Sequence, residues 1–294
     1  MKQLIRLLPI LLLTLNVASA KLKVVASISD LAYFAELIGG DKIEVSRIAS
    51  PRSDIHFIEV RPSYMVMVKN ADIALKVGLE LDIWMDRIID GSRNGRLKII
   101  DCSKYIEPLE VPSFRADARY GDLHRYGNPH YWLSPDNLPA IFRAVEEGLA
   151  DSDPGNAAYY SANSQKFLSA LKQSIDTLMP RLTALAGKEI IYYHNSWPYF
   201  NKFVGLSAAG FIEPYPGVPP SPSHMASLVK LIKEKNIRLI AMEPYFDKRV
   251  PEKIASETGA RMVVLYPSIG GRQADESYIE WLSGNIDALL EALP

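Results

Sequence analysis

The chain has 294 residues, a formal net charge of -1, five histidines and a single cysteine. Near-neutral charge argues against general affinity for nucleic acid or anionic membrane, and a lone thiol excludes an internal disulfide and any multi-cysteine metal centre. Hydrophobic content of 48% is ample for buried cores.

Residues 1–20 read as a cleavable secretion signal. Met1-Lys2-Gln3-Leu4-Ile5-Arg6 is a basic start, Leu7 to Val17 is apolar except for Thr14 and Asn16, and Ala18-Ser19-Ala20 has the small-x-small pattern of a cleavage site. The apolar run is shorter than the roughly 20 residues that span a bilayer. No cysteine follows it to carry a lipid, so the mature chain is expected to begin near Lys21 and, lacking disulfides, to be held by packing.

Strand-like and helix-like segments then alternate. Leu22 to Ile28 reads as a strand, Leu31 to Ile38 as a helix with Asp30 as its N-cap, and Gly39-Gly40 as the stop. Ile43 to Ile48, Ala71 to Val77 and Leu97 to Asp101 read as strands; Arg61 to Lys69 and Leu81 to Ile89 read as helices. Cys102, closing the last strand, is expected to be a buried small apolar residue. Residues 106–135, rich in proline and poor in apolar runs, read as a loop.

From Asn156 to Met179 there is neither glycine nor proline, and Leu168, Leu171, Ile175, Leu178 and Leu182 recur at spacings of three and four. The spacing predicts one long helix of about 26 residues, roughly 40 Å, enough to join two domains. Alternation resumes with strands at 189–193, 207–211, 238–242 and 261–265 and helices at 195–204, 224–235, 250–258 and 276–293. The expected fold is α/β: two Rossmann-like lobes with parallel sheets, residues 21–150 and 185–294, joined by one rigid linking helix over 151–184. Apart from the alternation, no repeat relates the halves. Ligands of open α/β sheets bind beyond the carboxyl ends of strands, which points to the cleft between the lobes.

His56 follows the second strand, His194 follows the first strand of the second half, and His130 ends the long loop. Neutral imidazoles suit a borderline ion such as zinc, whereas calcium and magnesium prefer oxygen. Far apart in sequence, the three form no local motif, and each has an alternative reading as a loop or capping histidine.

The surrounding motifs add to this. Asp54-Ile55-His56-Phe57-Ile58-Glu59-Val60-Arg61-Pro62 resembles the D-x-H-x-x-E-x-x-P segment of the periplasmic zinc and manganese receptors of ABC importers, the zinc-type members of solute-binding protein family 9. Asn70-Ala71-Asp72 with Gly78 to Trp84, Asn128-Pro129-His130-Tyr131-Trp132-Leu133-Ser134-Pro135, Asp153-Pro154 with Tyr160 and Asn163, and Glu213 to Ser221 resemble further stretches of that family, in order along nearly the whole mature chain. The resemblance implies a periplasmic receptor that captures one Zn2+ through His56, His130 and His194 between two lobes. It implies delivery to an inner-membrane permease and ATPase, with a metallochaperone as a possible further partner and the receptor acting as a monomer. Mn2+ and Fe2+ are the alternative ions; histidine at 194, where manganese members carry a carboxylate, favours zinc.

Three positions depart from the pattern. The family's fourth ligand is an aspartate after the last strand, and here Pro267 stands in its place within Tyr266-Pro267-Ser268-Ile269-Gly270. Glu243, at the end of a strand, is the first replacement expected, Glu59 the second, with Asp247, Asp275 and water as further choices. Asn128 and Ser134 replace two aspartates, which puts in doubt how His130 is oriented. His124 reads as a solvated loop residue or a transient metal catcher, and His224, after Pro222-Ser223, as a helix-start residue.

Other functions compete. A three-histidine site with a bound water could hydrolyse a substrate, with Glu243 or Glu59 as base. But the chain has no His-Glu-x-x-His helix, no Gly-x-Ser-x-Gly elbow and no phosphate loop, so an enzyme is not expected. Cell adhesion or metal buffering at the surface is a third class.

Overall fold

The computed structural model describes residues 21–114 and 124–293; the expected secretion signal lies outside them. Strands β1 (Leu22–Ala26), β2 (Ile43–Arg47), β3 (Ile73–Lys76) and β4 (Lys98–Asp101) form one sheet. Strands β5 (Glu189–Tyr192), β6 (Ser207–Phe211), β7 (Leu239–Met242) and β8 (Arg261–Val264) form a second. All described pairings are parallel, in the orders β2-β1-β3-β4 and β6-β5-β7-β8. The two lobes therefore repeat one topology that no sequence repeat betrays. Sheets covered on both faces need continuous apolar strands, and Ile73, Ala74, Leu75 and the whole of β7 are buried accordingly.

Helices α1 (Ser29–Gly39), α2 (Pro62–Lys69), α3 (Ile83–Ser92), α4 (Leu138–Ser152) and α5 (Ala157–Leu182) precede the second sheet; α6 (Pro198–Val204), α7 (Pro222–Lys235), α8 (Arg249–Thr258) and α9 (Tyr278–Ala292) accompany it. In α5 the stripe lies as its spacing predicts: Leu171, Leu178 and Leu182 are buried, and Leu168 and Ile175 lean on the same core. The helix packs on α1, α4 and α9, and Asn163 Nδ2 donates to the Ile38 carbonyl at 2.9 Å, fixing it to the first lobe. Helix α4 was not expected. Its buried Leu138, Ile141, Phe142, Val145 and Leu149 have helical spacing, but Pro135 before it and Pro139 in its first turn disguise its start. Cys102 is fully buried, as expected.

One continuous apolar cluster runs from the first sheet through α5 into the near face of the second; a smaller one fills the far side of the second lobe under α7 and α8. Segment 266–271 straps the lobes together. The Pro267 carbonyl accepts from Trp132 Nε1 at 2.9 Å, the Ile269 N–H donates to Asp30 Oδ1 at 2.9 Å, and the Gly271 carbonyl accepts from Arg52 Nε at 3.1 Å. This corrects the reading of Asp30 as an N-cap. Helix α1 already starts at Ser29, and the Asp30 side chain turns inward to the other lobe, where burial pushes its carboxyl up to about 7 despite hydrogen bonds from Ile269, Ser268 and Ser29.

Candidate metal centre

The three histidines reach one point by three routes. His56 lies in the loop after β2, His194 two residues beyond β5, and His130 at the N-cap of a 3-10 turn, Tyr131–Leu133, on the stretch that joins the lobes. Their potential ligand atoms all lie within 4.8 Å of one another. Ring centroids are 4.8 Å apart for His56 and His194, 5.1 Å for His56 and His130, and 5.7 Å for His130 and His194.

Each ring is held by its Nδ1. Asp54 Oδ1 accepts from both the backbone N–H of His56, at 3.0 Å, and its Nδ1, at 2.9 Å. Asn128 Oδ1 does the same for His130, at 3.0 Å to each. The residue two before the histidine thus fixes backbone and ring together in both cases. Asparagine supplies the acceptor without the charge, which answers the doubt about that position. Its amide cannot be turned round, because Nδ2 donates to the Asn195 carbonyl at 2.8 Å and to Glu110 Oε2 at 3.2 Å. His194 Nδ1 pairs with Glu213 Oε2 at 2.8 Å. Sequence reasoning quoted Glu213 only as part of a loop; the available signal was its place just past the carboxyl end of β6.

With Nδ1 engaged as an N–H donor, each ring presents an Nε2 lone pair, and His56 Nε2 is buried with no hydrogen-bond partner. Two of the rings, His130 and His194, are held unprotonated by their surroundings. Burial first, then repulsion from His56, His194 and His124, holds His130 well below its ordinary pKa; burial also lowers His194, outweighing the pull of Glu213. Asp54 stays ionised: burial pushes its pKa up, but the hydrogen bonds and charge of His56 hold it below the usual range. Two acidic side chains, Asp54 and Glu213, stand behind His56 and His194, where they can balance a divalent ion.

The expected oxygen donors lie elsewhere. Glu243 is fully buried at the end of β7; its Oε1 accepts from Ser196 Oγ at 2.8 Å and Trp197 Nε1 at 2.9 Å, its Oε2 is buried without a hydrogen-bond partner, and it is not in the cluster of three. Burial pushes its carboxyl up to about 8, making it a mostly protonated anchor for the turn after His194. Glu243→Gln is therefore expected to change zinc affinity by less than about threefold, since the ligands keep their own supports; competition against a chromophoric chelator would check it. Glu59 is 74% exposed and pairs with Arg61, Asp247 pairs with Arg249 on the surface, and Asp275 is exposed. Ser134 caps the 3-10 turn Pro135–Asn137 and takes no part in orienting His130. His224 lies in the first turn of α7, capped by Ser221, with Nε2 bonded to the Phe211 carbonyl at 2.9 Å, in keeping with its reading as a helix-start residue. His124, read as a solvated loop residue, is instead only 7% exposed and stacks on His56 at 5.7 Å. Burial, then the nearness of His56 and His194, pushes it down to about 3.

Two parallel α/β lobes strapped around a buried imidazole cluster define an α/β receptor for a metal ion rather than a catalyst. Residues 24–292 match the family model described as "Zinc-uptake complex component A periplasmic", and the chain belongs to that family of metal-binding solute-binding proteins. It is 27% identical over 282 residues to the high-affinity zinc uptake system protein ZnuA of Bacillus subtilis, covering 93% of this chain and 88% of that one. It is 24% identical over 277 residues to the manganese-binding lipoprotein MntA of Halalkalibacterium halodurans, covering 92% and 88%. A crystal structure of ZnuA superposes with a TM-score of 0.79 at 28% identity, covering 92% of this chain and 99% of the other.

Proposed function

We propose that this protein captures one zinc ion through Nε2 of His56, His130 and His194 and hands it to an inner-membrane permease driven by an ATPase. The observation that carries the choice of ion is the donor set: three neutral imidazoles, each with Nδ1 held by a side-chain oxygen. Manganese and the other hard ions favour carboxylate and water, while imidazole suits zinc. Relatives named for zinc and for manganese both occur at similar identity, so the resemblance does not choose between them. The ring nitrogens, within 4.8 Å of one another, need to draw in only modestly, because Zn–N bonds of about 2.0–2.1 Å place tetrahedral donors roughly 3.4 Å apart. Export by the secretion signal over residues 1–20, without a lipid, would place the receptor free in the periplasm.

Titration of the metal-free mature protein tests this. One zinc ion per chain is expected, bound at least about a hundredfold more tightly than manganese, in line with the preference of nitrogen sites along the divalent series. Manganese binding as tight as zinc would overturn the assignment of the ion.

A further inference from the structure

Three imidazoles leave one corner of a tetrahedral shell open, and Pro267, on the strap beside the His130 side of the site, offers no side-chain donor and has its carbonyl taken by Trp132. We propose that His124 closes the shell, so that the ion sits among four histidines with no carboxylate ligand; this rests on the three-histidine reading above.

Four features support it. His124 is 93% buried by its 7% exposure, yet its Nε2 has no hydrogen-bond partner, an unusual state for a buried polar atom in a loop. Its ring lies nearly parallel to that of His56, with 25° between planes and centroids 5.7 Å apart. It lines a cavity of about 250 Å³ together with His130, His194, Asn128, Asn195 and Glu110. The chain is also anchored just beside it. The Arg125 N–H donates to Glu80 Oε2 at 2.9 Å and Arg125 Nε donates to Glu80 Oε1 at 2.8 Å. Glu80 itself sits at φ +67, in the left-handed region that a non-glycine residue seldom adopts without support from its surroundings.

Charge favours the same answer. Four neutral imidazoles leave the +2 of the ion uncompensated within the shell, but Asp54 and Glu213 stand directly behind His56 and His194 and offset it from outside. A shell carboxylate is then unnecessary: Glu59, Asp247 and Asp275 lie at the surface, and Glu243, whose Oε2 is also buried without a partner, does not line the cavity that His124 shares with His130 and His194. His124 lies outside the group whose donors are within 4.8 Å, so binding draws its side chain inward from the stacked position.

X-ray absorption at the zinc edge on the mature protein loaded with one equivalent is the test. The expected wild-type shell is four imidazole nitrogens. In His124→Gln it should show three imidazoles with an altered fourth donor, and zinc affinity should fall by about tenfold or more, no less than the loss of a supporting partner brings. A wild-type shell of three imidazoles and an oxygen, or a His124→Gln protein with unchanged shell and affinity, overturns the inference. Neither result touches the three-histidine site, whose own failure would appear as unchanged affinity in His194→Ala. The metal-free thermal midpoint of His124→Gln, expected to match the wild type, separates loss of a ligand from loss of fold.

Discussion

Replacing His194 with alanine should weaken zinc binding by at least about a hundredfold, or about 2.7 kcal/mol. Two losses combine in that variant. One donor leaves the shell, and the Glu213 carboxylate, only 11% exposed, loses the imidazole it faces at 2.8 Å and retains a longer contact from the Gly217 N–H at 3.3 Å. Glu213→Gln separates them. Glutamine still accepts from Nδ1 and orients the ring, but it removes one of the two negative charges behind the shell, and losses of that kind run to about tenfold to a hundredfold. Competition titrations on metal-free wild type and both variants give the ordering directly. If Glu213→Gln cost well over about a hundredfold, and as much as His194→Ala, the carboxylate itself would have to be counted among the ligands, and the all-imidazole shell would be wrong.

How the site could be read in the sequence follows from where its information lies. Strands, the long helix and the placing of His56 and His194 beyond strand ends are local properties, written in periodicity and in the residues that stop each element. The apolar stripe from Leu168 to Leu182 is of this sort, and it lies where the spacing put it. What failed was long-range pairing. Glu243 sits at a strand end as a ligand should, but it lies outside the cluster and one of its oxygens anchors Ser196 and Trp197, a fact set by the turn after β5 and invisible from position 243. His124 is in a stretch that reads as solvated, and residues distant in sequence surround it: His56, on which it stacks, and the cavity it lines with His194 and Asn195. Asp30 was misplaced for the same reason: its partner is Ile269, on a strap from the other end of the chain. Pro267 illustrates the converse. Its side chain can bind nothing, yet its carbonyl holds the Trp132 indole, whose ring lies 5.3 Å from that of His130. The segment is tied to the site through its backbone.

Asp30→Asn should make the metal-free protein more stable than the wild type at pH 8 and no different near pH 4. The Asp30 carboxyl is buried between lobes, and its pKa is raised from 3.8 to about 7, chiefly by loss of solvent. With a folded value above the unfolded one, the native state gains nothing from ionisation until pH reaches about 7, while the unfolded chain gains from about pH 4 upward. Stability is therefore lost between those limits, and the full difference is on the order of 4 kcal/mol at about 1.4 kcal/mol per pH unit. Asparagine keeps an oxygen for the Ile269 N–H and never ionises, so it escapes the loss. Allowing for relaxation around the site, a gain of about 2 kcal/mol at pH 8 is expected, or roughly 4–8 °C in thermal midpoint. Asp30→Ala should instead be destabilised by about 1–3 kcal/mol at low pH, where the acid is uncharged in the wild type, because the buried N–H of Ile269 is left without an acceptor. Calorimetric scans of the three proteins from pH 4 to pH 8 would show curves for wild type and Asn that meet at the acid end and diverge above it. Parallel curves would mean that Asp30 is ionised throughout and that the strap carries a buried charge. Glu243, pushed up to about 8 in the second lobe, contributes a slope of the same sign to every one of these proteins, so only the difference between them reports on Asp30.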